Sequence, residues 1–315
     1  MKKMLTLILL VIITSFPDAV LPENPDHPYQ LLTNNLEPHI LQVPGGKIEY
    51  YRFGHGAPLV LITGYFANVK SWNMTFLKLL STKNDVIIFD NRNVGGSFNL
   101  SKNYSTSDLA GDVGYLLKAL HLSHANILGI SMGGMIAQQF AILYPDKVDH
   151  LILINTFIAG IQPALPDKQI EKNLYKQPSG KLRQYIMALR LLFPPDARFK
   201  MFFTFAKDRF NPHSKEVSLS PTVIRQQQKL VLGWINNTAA LQKIRQIKIP
   251  VLILSGGSDY IIPYYNTDVL HKEIRHSKLV RWKQGGHAMI FQYPESIANT
   301  INQWLHRNEL QDEYF

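Results

Sequence analysis

The chain contains no cysteine. That absence excludes disulfides and thiolate metal sites, and it closes the lipoprotein route, which needs a cysteine behind an export signal. Long hydrophobic runs are missing as well: the apolar stretch Met4 to Ile13 is too short to span a bilayer. No H-E-x-x-H run offers a zinc site, and no recognisable nucleic-acid module with stacking aromatics accompanies the basic charge, so no nucleic-acid partner is expected. Internal repeats and low-complexity tracts are absent too. What is present is a globular composition, 315 residues of which 46% are hydrophobic, enough for one large α/β domain or two small ones.

Lys2 and Lys3 precede the apolar run, and Thr14-Ser15-Phe16-Pro17-Asp18-Ala19 follows it. Residues 1–19 therefore read as a signal peptide, and the expected location is exported, periplasmic or secreted. The formal charge of +10 is unevenly spread: Ile161 to Pro250 holds 16 Lys or Arg against 5 Asp or Glu, and the rest of the chain holds 17 against 18. Such a basic segment is either a solvated face or a surface that meets anionic membrane lipid or an acidic substrate.

Beyond an irregular lead-in, "HILQVPGGKIEYYRF" reads as two strands joined by a tight turn, a hairpin at a sheet edge. From Leu59 onward come short, almost wholly apolar runs: "LVLIT", "VIIFD", "NILGI", "LILIN", "VLILS" and "KLVRW". Runs of this kind suit strands covered on both faces, as in a parallel sheet. Helical patterns fall between them. Ser107 to Leu120, with Ser107 as expected N-cap, places Leu109, Val113, Leu116 and Leu120 on one face; further helices are expected over Met132 to Leu143 and Pro294 to Leu305. The alternation predicts an α/β fold with a doubly wound, mostly parallel sheet. The stretch 160–247 has helical patterns and no clean buried strand, so it is expected as a helical cap inserted into a core of 36–159 and 248–315.

Gly129-Ile130-Ser131-Met132-Gly133 is a G-x-S-x-G between an apolar run and a helical one. In a strand-to-helix turn this sharp, larger side chains at the glycines would collide with neighbouring backbone, and the serine projects above the sheet. A serine hydroxyl needs a base to take its proton, and the base needs a carboxylate to fix its tautomer. Asp259, just past "VLILS", and His287, five residues past Trp282, follow in that order. All three candidates follow strands on one edge of the predicted sheet. His121 and His124, in "LHLSHAN", read as a polar turn, and no metal site is expected.

These motifs resemble the α/β-hydrolase superfamily, in its cap-bearing serine esterase and lipase-like group, from about Leu59 to Trp304 excluding the cap. "ILGISMGG" is similar to the family's nucleophile elbow, "GGSDYIIP" to the segment of its acid, and "GGHAMIFQYP" to the segment of its histidine. The resemblance implies Ser131 as nucleophile, Asp259 as acid and His287 as base, the last two 28 residues apart. It implies an oxyanion hole from the backbone N–H of Met132 and one in Thr63-Gly64-Tyr65-Phe66, where Tyr65 is the expected donor and Phe66 the alternative. Thr63 stands where the family usually has His.

"FDNRNVGGS" is similar to a family turn with Asn93 at a glycine position, so Asp90 reads as architectural. A family variant places the acid where this chain has Asn155, which holds no charge. The implied activity is hydrolysis of a small-molecule or lipid carboxylic ester through an acyl-enzyme, without cofactor or metal. Perhydrolase, carbon–carbon hydrolase, iminopeptidase and non-catalytic ligand-binding roles share the same residue order. Met201 to Phe205 reads as cap core or as the wall of an acyl pocket.

Overall fold

The computed structural model describes residues 36–101, 103–164, 180–211, 220–307 and 313–314. The expected signal at 1–19 lies outside the described residues. The hairpin forms β1 (His39–Val43) and β2 (Gly46–Gly54), antiparallel with Val43 opposite Gly46. Its two-residue connection is Pro44-Gly45, and Gly45 takes φ 74°, a left-handed conformation that glycine adopts without steric penalty.

The apolar runs become β3 (Ala57–Ile62), β4 (Asn84–Phe89), β6 (Ala125–Ile130), β7 (Val148–Ile154), β8 (Val251–Gly256) and β9 (Ser277–Trp282). Two short strands had no clear pattern in the sequence: β5 (Phe98–Asn99) pairs with β2, and β10 (Glu313–Tyr314) with β9. The sheet order is β1-β2-β4-β3-β6-β7-β8-β9-β10, with the strands from β4 onward in that order mutually parallel.

Helices cover both faces, which is why the strands lack polar positions. They are α1 (Met74–Ser81), α2 (Thr106–Ala119) and α3 (Met132–Leu143), then α4 (Lys181–Leu192), α5 (Pro195–Thr204), α6 (Pro221–Ile235) and α7 (Thr238–Ile244). After β8 come α8 (Tyr265–Glu273), α9 (Met289–Gln292) and α10 (Pro294–Arg307). Alternate strand residues feed two separate cores. Val60, Ile62, Ile87 and Phe89 pack in one with Leu109 and Val113 of α2 and Phe140 of α3. Leu59, Leu61, Val86 and Ile88 pack in the other with Phe76 of α1 and Ile297 and Ile301 of α10. Each such side chain contributes about 1.5–3 kcal/mol on burial, and the central strands gain it on both faces.

The start of α2 differs from expectation. Ser105, not Ser107, is its N-cap: the Ser105 side chain accepts from the Asp108 backbone N–H, and Asp108 reciprocates on the Ser105 backbone. This capping box requires an acidic or amide side chain three residues on, which Ser107 lacks with Ala110 at that place. Between β7 and β8 the described residues hold α4 to α7 and no strand. Among the described residues no helix is long and apolar enough to cross a membrane.

Candidate functional site

Strand register brings the loops of the site to one edge. Ile62 is level with Gly129, Ile130 with Ile154, Ile154 with Leu254, and Gly256 with Trp282. The residues that follow these strands, Thr63, Ser131, Asn155, Gly257 and Lys283, therefore leave the sheet together.

Ser131 has φ 56° and ψ −122°, a region that residues with a Cβ rarely enter. Its backbone is tied on both sides: the N–H donates to Ile154 O at 3.0 Å, and the carbonyl accepts from Gly134 N at 2.9 Å and Thr156 Oγ1 at 2.7 Å. The flanking glycines are needed for close approach. A Cβ on Gly129 would stand 2.3 Å from Gly133 O, and one on Gly133 would stand 2.2 Å from Ile62 O. Strain of this kind persists only where the surroundings over-determine it. The N-terminus of α3 starts at Met132, directly behind the serine.

His287 Nδ1 lies 2.7 Å from Asp259 Oδ2, with the Asp259 side chain fully buried. The other carboxylate oxygen accepts from the backbone N–H groups of Ile261 and Ile262 at 2.8 and 2.9 Å. This leaves Asp259 one direction in which to hold the imidazole, with Nε2 left for other chemistry. Ser131 and His287 line the same cavity. Among the described residues no hydrogen bond joins the Ser131 hydroxyl to His287; such contacts often tighten only when substrate is bound.

Asn155, which the sequence suggested only as an unsuitable acid, braces the histidine loop. Its Nδ2 donates to Gly286 O at 3.1 Å and His287 O at 3.0 Å, while its Oδ1 accepts from Gly256 N at 2.7 Å. One neutral amide thus links the ends of three strands, using donor and acceptor at once, which a carboxylate could not do. Nothing in the local sequence marks this role.

The loop after β3 passes against Ser131: a Cβ on Gly64 would stand 3.7 Å from Ser131 Oγ. Thr63, in place of the usual His, shapes that loop by donating from Oγ1 to Ala67 O at 3.2 Å and accepting from Asn91 Nδ2 at 3.2 Å. Phe66 takes φ 59° and donates its N–H to Gln227 Oε1 of α6 at 3.0 Å. The alternative donor is therefore already occupied. Tyr65 and Met132 both line the cavity, and among the described residues neither backbone N–H has a protein acceptor. Burial pushes the Tyr65 hydroxyl above the usual phenol range, so the ring stays neutral.

The cavity, about 170 Å³, is walled mainly by apolar groups, among them Trp72, Met135, Leu192, Phe205, Val231 and Ile290. Helices α4 and α6 and the residue that ends α5 contribute to this wall, so the segment between β7 and β8 lies over the serine. The Met201 to Phe205 cluster divides. Met201 and Phe205 are buried and Phe205 reaches the cavity, whereas Phe202 and Phe203 face outward.

Asp90 is not part of this arrangement. It is 1% exposed at the end of β4 and accepts from Val69 N at 2.8 Å and Gly96 N at 3.0 Å, a structural role. In the same turn Asn93 takes φ 60° and ties its side chain to Asn99 N and Ser101 O. His124 pairs with Asp149 at 2.6 Å on the surface. Among the described residues no group of three or more His, Asp or Glu is placed to hold a metal ion.

Comparison with known proteins shows the same fold. A poly(3-hydroxyalkanoate) depolymerase of Ectopseudomonas oleovorans is 27% identical over 256 residues, covering 80% of this chain and 85% of that protein. Among solved structures, an alpha/beta hydrolase fold protein from Chitinophaga pinensis superposes with a TM-score of 0.74 at 21% identity, covering 87% of this chain and 98% of that one. A thermophilic esterase from Thermogutta terrifontis gives 0.66 at 20% identity, over 86% and 98%. The model of the alpha/beta hydrolase fold family matches residues 57–294, and with the strained serine turn and the sheet order this chain belongs to that family.

Proposed function

We propose that the protein is a serine hydrolase of carboxylic esters. The observation that carries this reading is the strained Ser131 turn sharing one apolar cavity with the Asp259-oriented His287. In the proposed reaction His287 Nε2 removes the hydroxyl proton as Ser131 Oγ attacks the ester carbonyl. The backbone N–H groups of Met132 and Tyr65 receive the developing oxyanion, aided by the N-terminus of α3. Asp259 stabilises the imidazolium, which then protonates the leaving alkoxide. Water, deprotonated by His287, attacks the acyl-enzyme, releasing the acid and restoring the Ser131 hydroxyl.

The predominantly apolar cavity wall supports an ester with an apolar acyl or alcohol part rather than a charged one. Similarity to a poly(3-hydroxyalkanoate) depolymerase and to an esterase points the same way. The basic, lysine-led N-terminal segment supports export as part of the same proposal.

The test is labelling of purified protein with a fluorophosphonate probe, beside Ser131→Ala, followed by turnover of p-nitrophenyl esters of increasing acyl length. The expected result is labelling and turnover that both vanish in Ser131→Ala, with an optimum beyond the shortest acyl chains. A folded wild-type protein that takes no label would overturn the acyl-enzyme.

A further inference from the structure

Ten large apolar side chains are exposed among the described residues, and four of them gather on the adjacent helices α4 and α5: Leu182, Phe199, Phe202 and Phe203, at 61%, 79%, 37% and 51% exposure. The three phenylalanines form one continuous ridge. Phe199 meets Phe203 edge-on at 5.4 Å between ring centres, and Phe203 meets Phe202 at 5.2 Å. Phe202 in turn meets Tyr185 of α4 at 5.6 Å, and Leu182 lies one turn before Tyr185. Isolated exposed apolar residues need no explanation, but a contiguous aromatic ridge on a rigid platform does.

The platform is rigid. Tyr185 Oη donates to Phe202 O at 2.9 Å, and the Arg198 guanidinium donates to Phe193 O and Arg190 O at 3.1 and 3.0 Å, locking the α4–α5 corner. The opposite side of α5 is already occupied, with Met201 and Phe205 buried and Phe205 packed on Phe291 at 4.7 Å. The outward ridge therefore cannot turn in to join the core.

Charge defines what would cover it. Arg183 and Arg190 on α4, Lys200 on α5 and Lys207 just after it are exposed, and among the described residues none of them forms an ion pair. Asp196 is the acidic residue between Lys181 and Lys207. Long basic side chains beside exposed phenylalanines suit a surface that is apolar within and anionic at its rim. A protein partner would need an acidic rim around an apolar pocket, and a second copy of this chain would bring the same positive charge against itself.

We propose that the α4–α5 face docks onto anionic lipid bilayers, with Phe199 and Phe203 entering the acyl region and the surrounding Arg and Lys residues meeting the headgroups. The docked helix α5 is then the partition between bilayer and cavity, since the residue that ends it, Phe205, lines the wall near Ser131. An ester drawn from the bilayer would have about one helix diameter, roughly 10 Å, to travel.

Flotation of the full chain with lipid vesicles tests this without relying on the hydrolase reading. Vesicles of phosphatidylcholine and phosphatidylglycerol in equal parts are expected to carry the wild type, with binding that weakens as salt screens the charge. Pure phosphatidylcholine vesicles are expected to carry at least ten-fold less. Phe199→Ser with Phe203→Ser is expected to lose flotation at least ten-fold while its melting temperature and fluorophosphonate labelling stay at the wild-type level. Wild type that stays behind, flotation equal on both vesicles, or flotation kept by the double variant would each overturn the proposal. So would a scattering mass of two chains that falls to one in the double variant, which would make the face a contact between copies. A double variant with a lowered melting temperature is replaced by Phe199→Ser alone, which adds no charge, keeps the partly buried neighbours and must still lose flotation severalfold.

Discussion

Gln227 is nearly inaccessible, and its side-chain oxygen is the acceptor for the Phe66 N–H in a turn where a phenylalanine is held at positive φ. One side chain of α6 thus fixes the loop from which Tyr65 would offer its N–H to the reacting carbonyl. Gln227→Met keeps the volume and removes the acceptor. It leaves a buried N–H unpaired at about 1–3 kcal/mol and lets the loop relax from its strained conformation. The expected outcome is a lower melting temperature with kcat reduced more than KM is raised, because the oxyanion contact matters most in the transition state. Gln227→Glu, which keeps an acceptor in place, is expected to recover part of kcat; steady-state kinetics of both variants check this. Nothing in the local sequence marks residues of this kind: Gln226, Gln227 and Gln228 stand side by side with no motif around them. Each partner lies far away in the chain: Phe66 is 161 residues from Gln227, and Tyr104, which accepts from Gln226, is 122 from it.

At the scale of elements, the strand-turn-helix unit β6–α3 was legible almost residue for residue. The expected helix over Met132 to Leu143 is the observed one, because an apolar run, a glycine-flanked serine and Pro145 bound it from both ends. Gly133 carries the tightest demand in this unit. A methyl there would press on Ile62 O at 2.2 Å and Thr63 O at 2.6 Å, backbone atoms of the neighbouring strand end that cannot turn aside. Gly133→Ala is therefore expected to lose at least 1–3 kcal/mol, about the cost of overpacking, and to lose probe labelling by a larger factor than its stability loss explains. A melting curve and the labelling rate, measured together, separate the two effects. The start of α2 was less legible, since Ser105 and Ser107 are both acceptable caps and only the reciprocal bond of Asp108 decides between them.

Across the whole molecule the buried acids set a pH dependence. Burial pushes the Asp90 carboxyl up to about 7, against the lowering effect of the Val69 and Gly96 N–H groups, and the neighbouring Glu49 raises it further. In the unfolded chain an aspartate titrates near about 3.9. Between these values the folded state holds the extra proton, so this group's contribution to stability is greatest at the acid end and declines as pH rises towards 7. Asp90→Asn mimics the protonated form. Its melting temperature is expected to rise relative to wild type across that window and to run parallel to it above about pH 8. Parallel curves throughout would assign the slope to other groups.

The sequence by itself determined the layer structure and the candidate triad. Short, uniformly apolar runs bounded by turns and alternating with helical patterns suit strands covered on both faces, and glycines around a serine between a strand and a helix suit a turn in which the backbone passes close by. These are local constraints, written into neighbouring residues. The tertiary structure alone decided which side chains brace the site and which face outward. Asn155 reaches a loop 131 residues away, Gln227 closes over the Phe66 turn, and α5 turns Phe205 inward while leaving Phe199 and Phe203 at the surface. Sequence composition around Met201 to Phe205 is equally aromatic on both sides of that helix. Only the position of α4 beside it and of Phe291 beneath it determines which rings are buried.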